Sequence, residues 1–381
     1  MATAEATIES IGIAEGVQAW RAERYATVKP LLTDQRLDIF TPAPESSSWD
    51  SDPKVHQIMM RMTAGGGSQV LADKEDRVLR RRIMNKFFSG GNLMRVTPLV
   101  SEAAEELAAG LADLPQPIDL RTSFSRPLCA RTMSELLSVP VEDTASFLKW
   151  IDEASAPGAR PMAGLRDFMA YAHKLVADRR KNPRDDVLSD VLRSRADGDK
   201  LHDKRIVNLL FWMLAMGWQN AAANIDYAIA LLLTNPGQHE LLKNDPALVP
   251  GAAEEVIRLS NSQPSNDGMV VRYAMEDIVV DGTEILAGNV LFLDIWTANR
   301  DGSVFADPLA FDITREPNPH IGFGHGVYMC NFSHVARTEL RAGLAAVIGT
   351  LPRLRLAEPP ERLQYTTPSK PSGVVRLPVL F

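Results

Sequence analysis

Cysteine is almost missing from this chain of 381 residues: there are two, Cys129 and Cys330. Two widely separated thiols make no disulfide framework, and the expectation is an intracellular, cytoplasmic protein. Long apolar runs are missing as well. The longest, Leu209 to Trp218, falls short of the roughly 18 residues a membrane span needs, so no membrane partner is expected. The opening stretch MATAEATIESIGIAEG has acids and no basic region followed by an apolar one, which excludes a secretory signal there. Positive charge is not in excess: 41 basic side chains face 48 acidic ones, for a net charge of -7. That balance argues against nucleic acid as a partner, although a local basic patch can still dock an acidic protein. There is no internal repeat, no long low-complexity segment, and no flavin- or dinucleotide-binding segment. No rhythm of alternating strand and helix runs through the chain, which argues against a doubly wound sheet.

Hydrophobic residues make up 45% and charged residues 23%, an ordinary globular balance, and a chain of this length buries a large core without staples. Loops around a short helix are read from Pro42 to Ser68, where Ser, Pro, Gly and Asp concentrate. From Lys74 to Ala112 apolar residues recur at three- and four-residue spacing, and helical patterns continue to about Leu259. A long helix from about Asp203 to Leu233 is apolar nearly all round, as a buried helix is. The region between Ile151 and Asp167 reads as a loop because of Pro157, Gly158, Pro161 and Gly164. After Pro264 the texture changes to alternating β-branched residues punctuated by Asp281–Gly282 and Ala287–Gly288, the pattern of short strands and turns. A loop-rich stretch follows, then a helix from about His334 to Leu351 and a strand-like tail. The fold class predicted is mainly α (α+β): one domain over residues 1–381, with small β-sheets late in the chain.

The chemistry concentrates in FGHGVYMCNFSHVARTEL, Phe323 to Leu340. Gly322, Gly324 and Gly326 permit tight turns and the close approach of a flat ligand. Cys330 ends the loop just before a helix, where free backbone N–H groups and the positive end of the helix dipole favour thiolate. A thiolate so held can ligate a metal and push electron density onto it. Most lone cysteines are instead small buried hydrophobes. A second feature is Glu255 and Arg258 in EEVIRLS: residues i and i+3 share a helix face and can form an ion pair.

Phe323, Gly324, Gly326 and Cys330 match at the right spacing the haem loop of the cytochrome P-450 family, FG-x-G-x-(H/R)-x-C-x-G, and the chain resembles that family from about Trp20 to its end. The ExxR helix stands at the family's usual distance before the cysteine, with VVRYAMEDIVVDGTEILAG and TANRDGSVFADPLAFDITR between them. The resemblance implies the P-450 fold around a buried haem b (iron protoporphyrin IX), with Cys330 as axial ligand to the iron. It places Arg77 and Arg81, one turn apart on an early helix, and Arg272 on a strand, as partners of the propionates. Phe323, Gly324, His325 and Tyr328 complete the haem-binding set. Tyr328 stands where His or Arg is usual, and its phenol can still donate a hydrogen bond. Arg80 and Arg82 read as a solvated basic face that can help dock an acidic ferredoxin.

The departures matter. The helix over the haem carries A/G-G-x-(D/E)-T in the family, where acid and alcohol relay protons during dioxygen reduction. Here stand Met216, Gly217, Trp218, Gln219 and Asn220. Gln219 cannot ionise, and Asn220 can hold water or oxygen but is a poor proton carrier. Phe332 replaces a glycine two positions after the cysteine, and Ala310 stands where an arginine bracing the ExxR pair is expected. The resemblance implies a bacterial haem-thiolate oxidase of natural-product biosynthesis, using electrons from NAD(P)H through a ferredoxin reductase and a ferredoxin. The reaction read from Gly217, Gln219 and Asn220 is oxidative coupling of aromatic rings, on a small molecule or a peptide, where the substrate's own phenol or indole N–H joins the relay. The alternatives are hydroxylation of a small-molecule natural product and a non-catalytic haem-binding recruitment module.

Overall fold

The computed structural model describes residues 8–14, 17–39, 83–88, 90–146, 149–150, 162–193, 195–196, 199–200, 203, 206–207, 209–210, 213, 219–261, 267–366, 370 and 372–381. The chain divides into two compact units. One comprises residues 1–76, 254–330 and 367–372, the other residues 77–253, 331–366 and 373–381.

The first unit is built on a five-stranded sheet in the order Ile8–Ala14, Val17–Ala22, Val290–Asp294, Met269–Ala274, Leu37–Asp38. The central strand VLFLD is buried at all five positions. Such a strand needs cover on both faces, and its continuous apolar run supplies it. Leu291 and Leu293 meet Val28, Leu31, Phe305 and Ile321 in one cluster, whereas Val290 and Phe292 meet Ala19 and Tyr273 in another. Asp294 ends the strand out of contact with water. It accepts from the backbone N–H of Thr297 at 2.9 Å and pairs with Arg21 at 2.6 Å and Lys370 at 3.0 Å. The expected Asp281–Gly282 turn joins the hairpin Ile278–Val280 and Thr283–Ile285, with both turn residues at positive φ, 47° and 84°. Two consecutive left-handed residues match the twist of the strands they join, and Asp–Gly tolerates that conformation best.

The second unit is helical. Gly90–Gly110, Arg126–Leu136, Met162–Lys181, Gln219–Thr234 and Ser333–Thr350 are its main helices. Buried Val96, Val100, Ala103 and Ala104 keep the three- and four-residue spacing read from the sequence, and Leu128, Ile225, Leu344 and Val347 are core residues of its other helices. At Gly343 a Cβ would lie 3.3 Å from Ile225 Cγ2, so the missing side chain lets these helices close up. A small sheet, Arg355–Leu356, Pro378–Leu380 and Ile118–Asp119, sits in the same unit.

The helix expected from His334 begins at Ser333. The loop expected up to Asp167 is corrected at its end: Met162–Lys181 is helical and contains Gly164. Buried Phe168, Ala172, Leu175 and Val176 supply an apolar stripe. That stripe outweighs the penalty of roughly 1 kcal/mol for one glycine. Residues 151–161, and Lys74–Arg82 of the early helix, lie outside the described residues. Among the described residues no helix is long and apolar enough to cross a membrane.

Two carboxyls lie inside the helical unit. Glu339, 1% exposed, has Thr132 and Cys129 as hydrogen-bond neighbours, neither of them a cation, and burial pushes its pKa up to about 8. Asp226 is held by Arg121 at 2.7 Å, yet burial outweighs that pair and its pKa rises to about 7. A carboxyl raised in the folded state contributes its stability fully below the ordinary carboxylate range and loses it as pH climbs through the folded value. We expect melting temperature to fall from about pH 5 toward pH 8, and Glu339→Gln to flatten that fall, leaving a remainder that ends near pH 7 with Asp226. Thermal melts of both proteins across this range check it, and identical slopes would refute it.

Candidate active site

The helix Val249–Leu259 places Glu255 and Arg258 on one face, as the i, i+3 spacing requires, and both side chains are 0% exposed. The pair is bidentate: Arg258 Nη2 donates to Glu255 Oε1 and Nε to Oε2, each at 2.8 Å. Arg258 Nη1 donates to the carbonyls of Asn299 at 2.9 Å and Pro308 at 2.7 Å, and Nη2 to that of Ala310 at 3.0 Å. All five N–H groups of the guanidinium thus have acceptors.

The bracing arginine sought at position 310 is absent there, and the structure supplies the brace from another position. The brace is Arg315, whose Nε lies 3.1 and 3.2 Å from the two oxygens of Glu255. Asn318 Nδ2 adds a bond at 3.1 Å and the backbone N–H of Asp312 another at 3.1 Å. Arg315 lies inside the segment singled out from the sequence, which also holds Arg300. Ala310 serves through its backbone carbonyl instead.

The cysteine loop hangs from the same helix. His320 Nε2 lies 3.0 Å from Glu254 Oε2, and the N–H of Gly322 donates to His320 Nδ1 at 3.2 Å. At Gly322 a Cβ would stand 2.6 Å from the carbonyl oxygen of Ile257, so only glycine lets loop and helix meet. Gly324 and Gly326 take positive φ, 73° and 70°, and a Cβ on Gly326 would lie 2.6 Å from Thr33 Cγ2. These turns fold the chain back until the N–H of Cys330 donates to the carbonyl of Phe323 at 2.8 Å. Cys330 is half-buried, as are Phe323 and His325, and Val327 and Met329 beside it are exposed.

Arg272, on the strand Met269–Ala274, is 4% exposed. Burial pushes its pKa down to about 10, an effect that Tyr328 and Asp38 partly oppose. Its Nη1 donates to the carbonyl of Val271 at 2.9 Å, its guanidinium carbon lies 4.8 Å from the Tyr328 ring centre, and among the described residues it forms no ion pair. Tyr328 directs its phenol to Asp38 Oδ1, 2.7 Å away. One unit therefore brings together Arg272, Phe323, Gly324, His325, Tyr328, Cys330, Glu255 and Arg258. Sequence reading missed Asp38, Arg315, Asn318 and His320.

Cys129 is of the other kind. It is fully buried, and burial, then the charges of Glu339 and Asp226, push its thiol well up, so it stays protonated. The helix Gln219–Thr234 belongs to the second unit; Asn220 in its first turn is exposed. Gly217, Arg77 and Arg81 lie outside the described residues, as does the side chain of Gln219.

The cytochrome P-450 family model matches residues 244–379. The chain is 31% identical over 371 residues to mycinamicin IV hydroxylase/epoxidase of Micromonospora griseorubida, covering 96% of this chain and 90% of that protein. It is 32% identical to pentalenolactone synthase of Streptomyces exfoliatus, covering 96% and 91%. The crystal structure of the LnmA cytochrome P-450 hydroxylase from the leinamycin pathway of Streptomyces atroolivaceus superposes with a TM-score of 0.81 at 28% identity, covering 96% of this chain and 91% of that one. A thiol presented by a glycine loop, on a scaffold shared over nearly its whole length with these enzymes, makes this chain a member of the cytochrome P-450 family. It is an oxidoreductase of the monooxygenase kind, and its cofactor is haem b.

The residues present fit that group. A half-buried thiol suits a ligand to the iron, and a buried guanidinium that forms no ion pair among the described residues suits a propionate. Gly322→Ala forces backbone against backbone and should cost about 1–3 kcal/mol and lower haem occupancy. Gly324→Ala meets nothing closer than 3.7 Å and should cost only the left-handed strain, about 1 kcal/mol. Thermal melts and the haem absorbance per mole of protein rank the two; equal losses would contradict this account of the loop.

Proposed function

We propose that this protein is a haem-thiolate monooxygenase that hydroxylates or epoxidises a small-molecule natural product. In this reading it acts in the cytoplasm, with electrons from NAD(P)H reaching it through a ferredoxin reductase and a ferredoxin. The observation that carries the reading is the Cys330 loop, closed by the Cys330 to Phe323 hydrogen bond and docked on the Glu255–Arg258 helix. When bound, haem supplies the activation of dioxygen needed to insert one oxygen atom.

The chain's own residues have separable tasks. Cys330 would hold the iron, with its backbone N–H already committed to the carbonyl of Phe323, which fixes the turn that carries it. Arg272 would neutralise a propionate, with Arg77 and Arg81 proposed for the same task. Val327 and Met329, exposed beside Cys330, offer an apolar patch for an electron-carrying protein. On the distal helix, Asn220 would hold water or substrate by hydrogen bonding, since its amide can donate and accept but does not release a proton at neutral pH.

The reaction read first from Gln219 and Asn220 was ring coupling. The relatives' names favour its alternative, because the similar proteins include a hydroxylase/epoxidase and a hydroxylase. The similar proteins named are enzymes, which argues against a non-catalytic recruitment module.

Reduced protein under carbon monoxide should absorb near 450 nm, an approximate marker of thiolate ligation. With a ferredoxin system and a substrate that shifts the haem band, the product should gain one oxygen; a product lacking two hydrogens would return the reading to coupling. Asn220→Thr restores an alcohol to the distal helix and should raise the fraction of reducing equivalents recovered in product rather than peroxide. An unchanged fraction would remove position 220 from proton delivery.

A further inference from the structure

The position two residues before Cys330 holds a tyrosine that does not keep its phenol for an external ligand. Tyr328 donates to Asp38 Oδ1 at 2.7 Å, and the same oxygen accepts from the N–H of Ile39 at 2.7 Å. Asp38 is no stray surface acid. Its strand, Leu37–Asp38, is the edge of the five-stranded sheet and pairs with the strand carrying Arg272: Leu37 lies opposite Ala274 and Asp38 opposite Tyr273. Asp38 and Arg272 therefore stand on neighbouring strands one position out of register. The Tyr328 ring comes from the cysteine loop to meet both, its hydroxyl on Asp38 and its ring 4.8 Å from the Arg272 guanidinium carbon.

We infer that Asp38 and Tyr328 form a positioning relay for Arg272, in which the carboxylate fixes the phenol, the ring carries the guanidinium, and the guanidinium is aimed at a carboxylate of the prosthetic group. The inference rests on the haem reading above. A phenol donating to a carboxylate has a more electron-rich ring, and an electron-rich ring attracts a cation more strongly. A buried arginine with four rotatable side-chain bonds needs such a platform, because the strand alone fixes only its backbone. Histidine or arginine at position 328 would reach a propionate itself. Here the direct donor is exchanged for a ring, and the cation of Arg272 is held in place from behind. Asp38 acts through Tyr328; it is a positioning residue.

Four variants of the full-length holoprotein test this: Asp38→Ala, Asp38→Asn, Tyr328→His and the double variant Asp38→Ala with Tyr328→His. Three readouts are used: haem loss to an excess of apomyoglobin, the reduction potential of the bound haem, and its absorption spectrum. Asp38→Ala should speed haem loss roughly tenfold or more, the order expected when a charged hydrogen bond is removed. It should also shift the potential downward, since a cation held less firmly offsets less of the propionate's negative charge, and that charge favours the oxidised iron. Asp38→Asn keeps an acceptor for the phenol and should lie between the wild type and Asp38→Ala. In the Tyr328→His background, where position 328 can donate directly, Asp38→Ala should have little further effect. Equal losses from Asp38→Ala in both backgrounds would make Asp38 a structural residue of the sheet edge and overturn the relay. No change in haem loss or potential in Asp38→Ala would overturn it too. A folded wild type that takes up no haem would instead sink the haem reading, so the two failures are distinguishable.

Discussion

Taking the Glu255 carboxylate and the Arg258 guanidinium out of water costs on the order of several kcal/mol for each ion, and mutual attraction alone does not reliably offset it. In this chain the deficit is met by hydrogen bonds from elsewhere. Arg258 spends its remaining donors on the carbonyls of Asn299, Pro308 and Ala310, and Glu255 collects Arg315, Asn318 and the backbone N–H of Asp312. A helix and a long stretch with little regular structure are thereby tied at one point. The stretch from Ala298 to Met329 has few backbone partners of the ladder kind, so the ion pair does for it what a sheet does for strands. Cys330 lies at the end of that stretch. Its position is set by the contact of Gly322 with Ile257 and by His320 on Glu254, both one turn or less from the buried pair.

The helical unit handles buried acids differently. Glu339 has no cation among its bonding neighbours, and Asp226 has one, Arg121, so burial prevails in both and their pKa values rise toward neutrality. The contrast with Glu255 is one of partner number: several donors converge on Glu255 and few on these two acids, where burial favours the protonated form. The first solution rigidifies a ligand loop. The second leaves a helical core whose stability follows pH.

Much of this was legible in the sequence because it depends on local rules. Glycines spaced by two before a cysteine, an acid and a base three apart on a helix, and Asp–Gly between β-branched runs each point to one geometry, and each was found. What was not legible depends on distance in the chain. Arg315 braces Glu255 across a separation of 60 residues, and Tyr328 reaches Asp38 across 290. No periodicity marks such pairs, because they are selected by a cavity that exists only after folding. The error over Ala310 has the same origin: a side chain was sought at one position, whereas the fold uses the backbone there and the guanidinium of Arg315. Gly164 shows the opposite case, a punctuating residue overridden by the apolar stripe of Phe168, Ala172, Leu175 and Val176.

The departures from the family pattern fall into two physical kinds. At positions 310 and 328 the expected side chain is absent, yet the function it served is a matter of geometry and charge, which other groups can supply. Arg315 supplies a guanidinium, and Tyr328 with Asp38 supplies a platform for one. At positions 219 and 220 the missing property is the ability to release a proton, and an amide cannot acquire it by being well placed. On the function proposed above, a proton relay would need a different carrier, a water held by Asn220 or an acidic hydrogen on the substrate itself. If water is the carrier, Asn220 would have only to hold it. A substrate that brought its own acidic hydrogen would instead be selected by the distal helix, so the identity of the carrier and the specificity of the enzyme are one question.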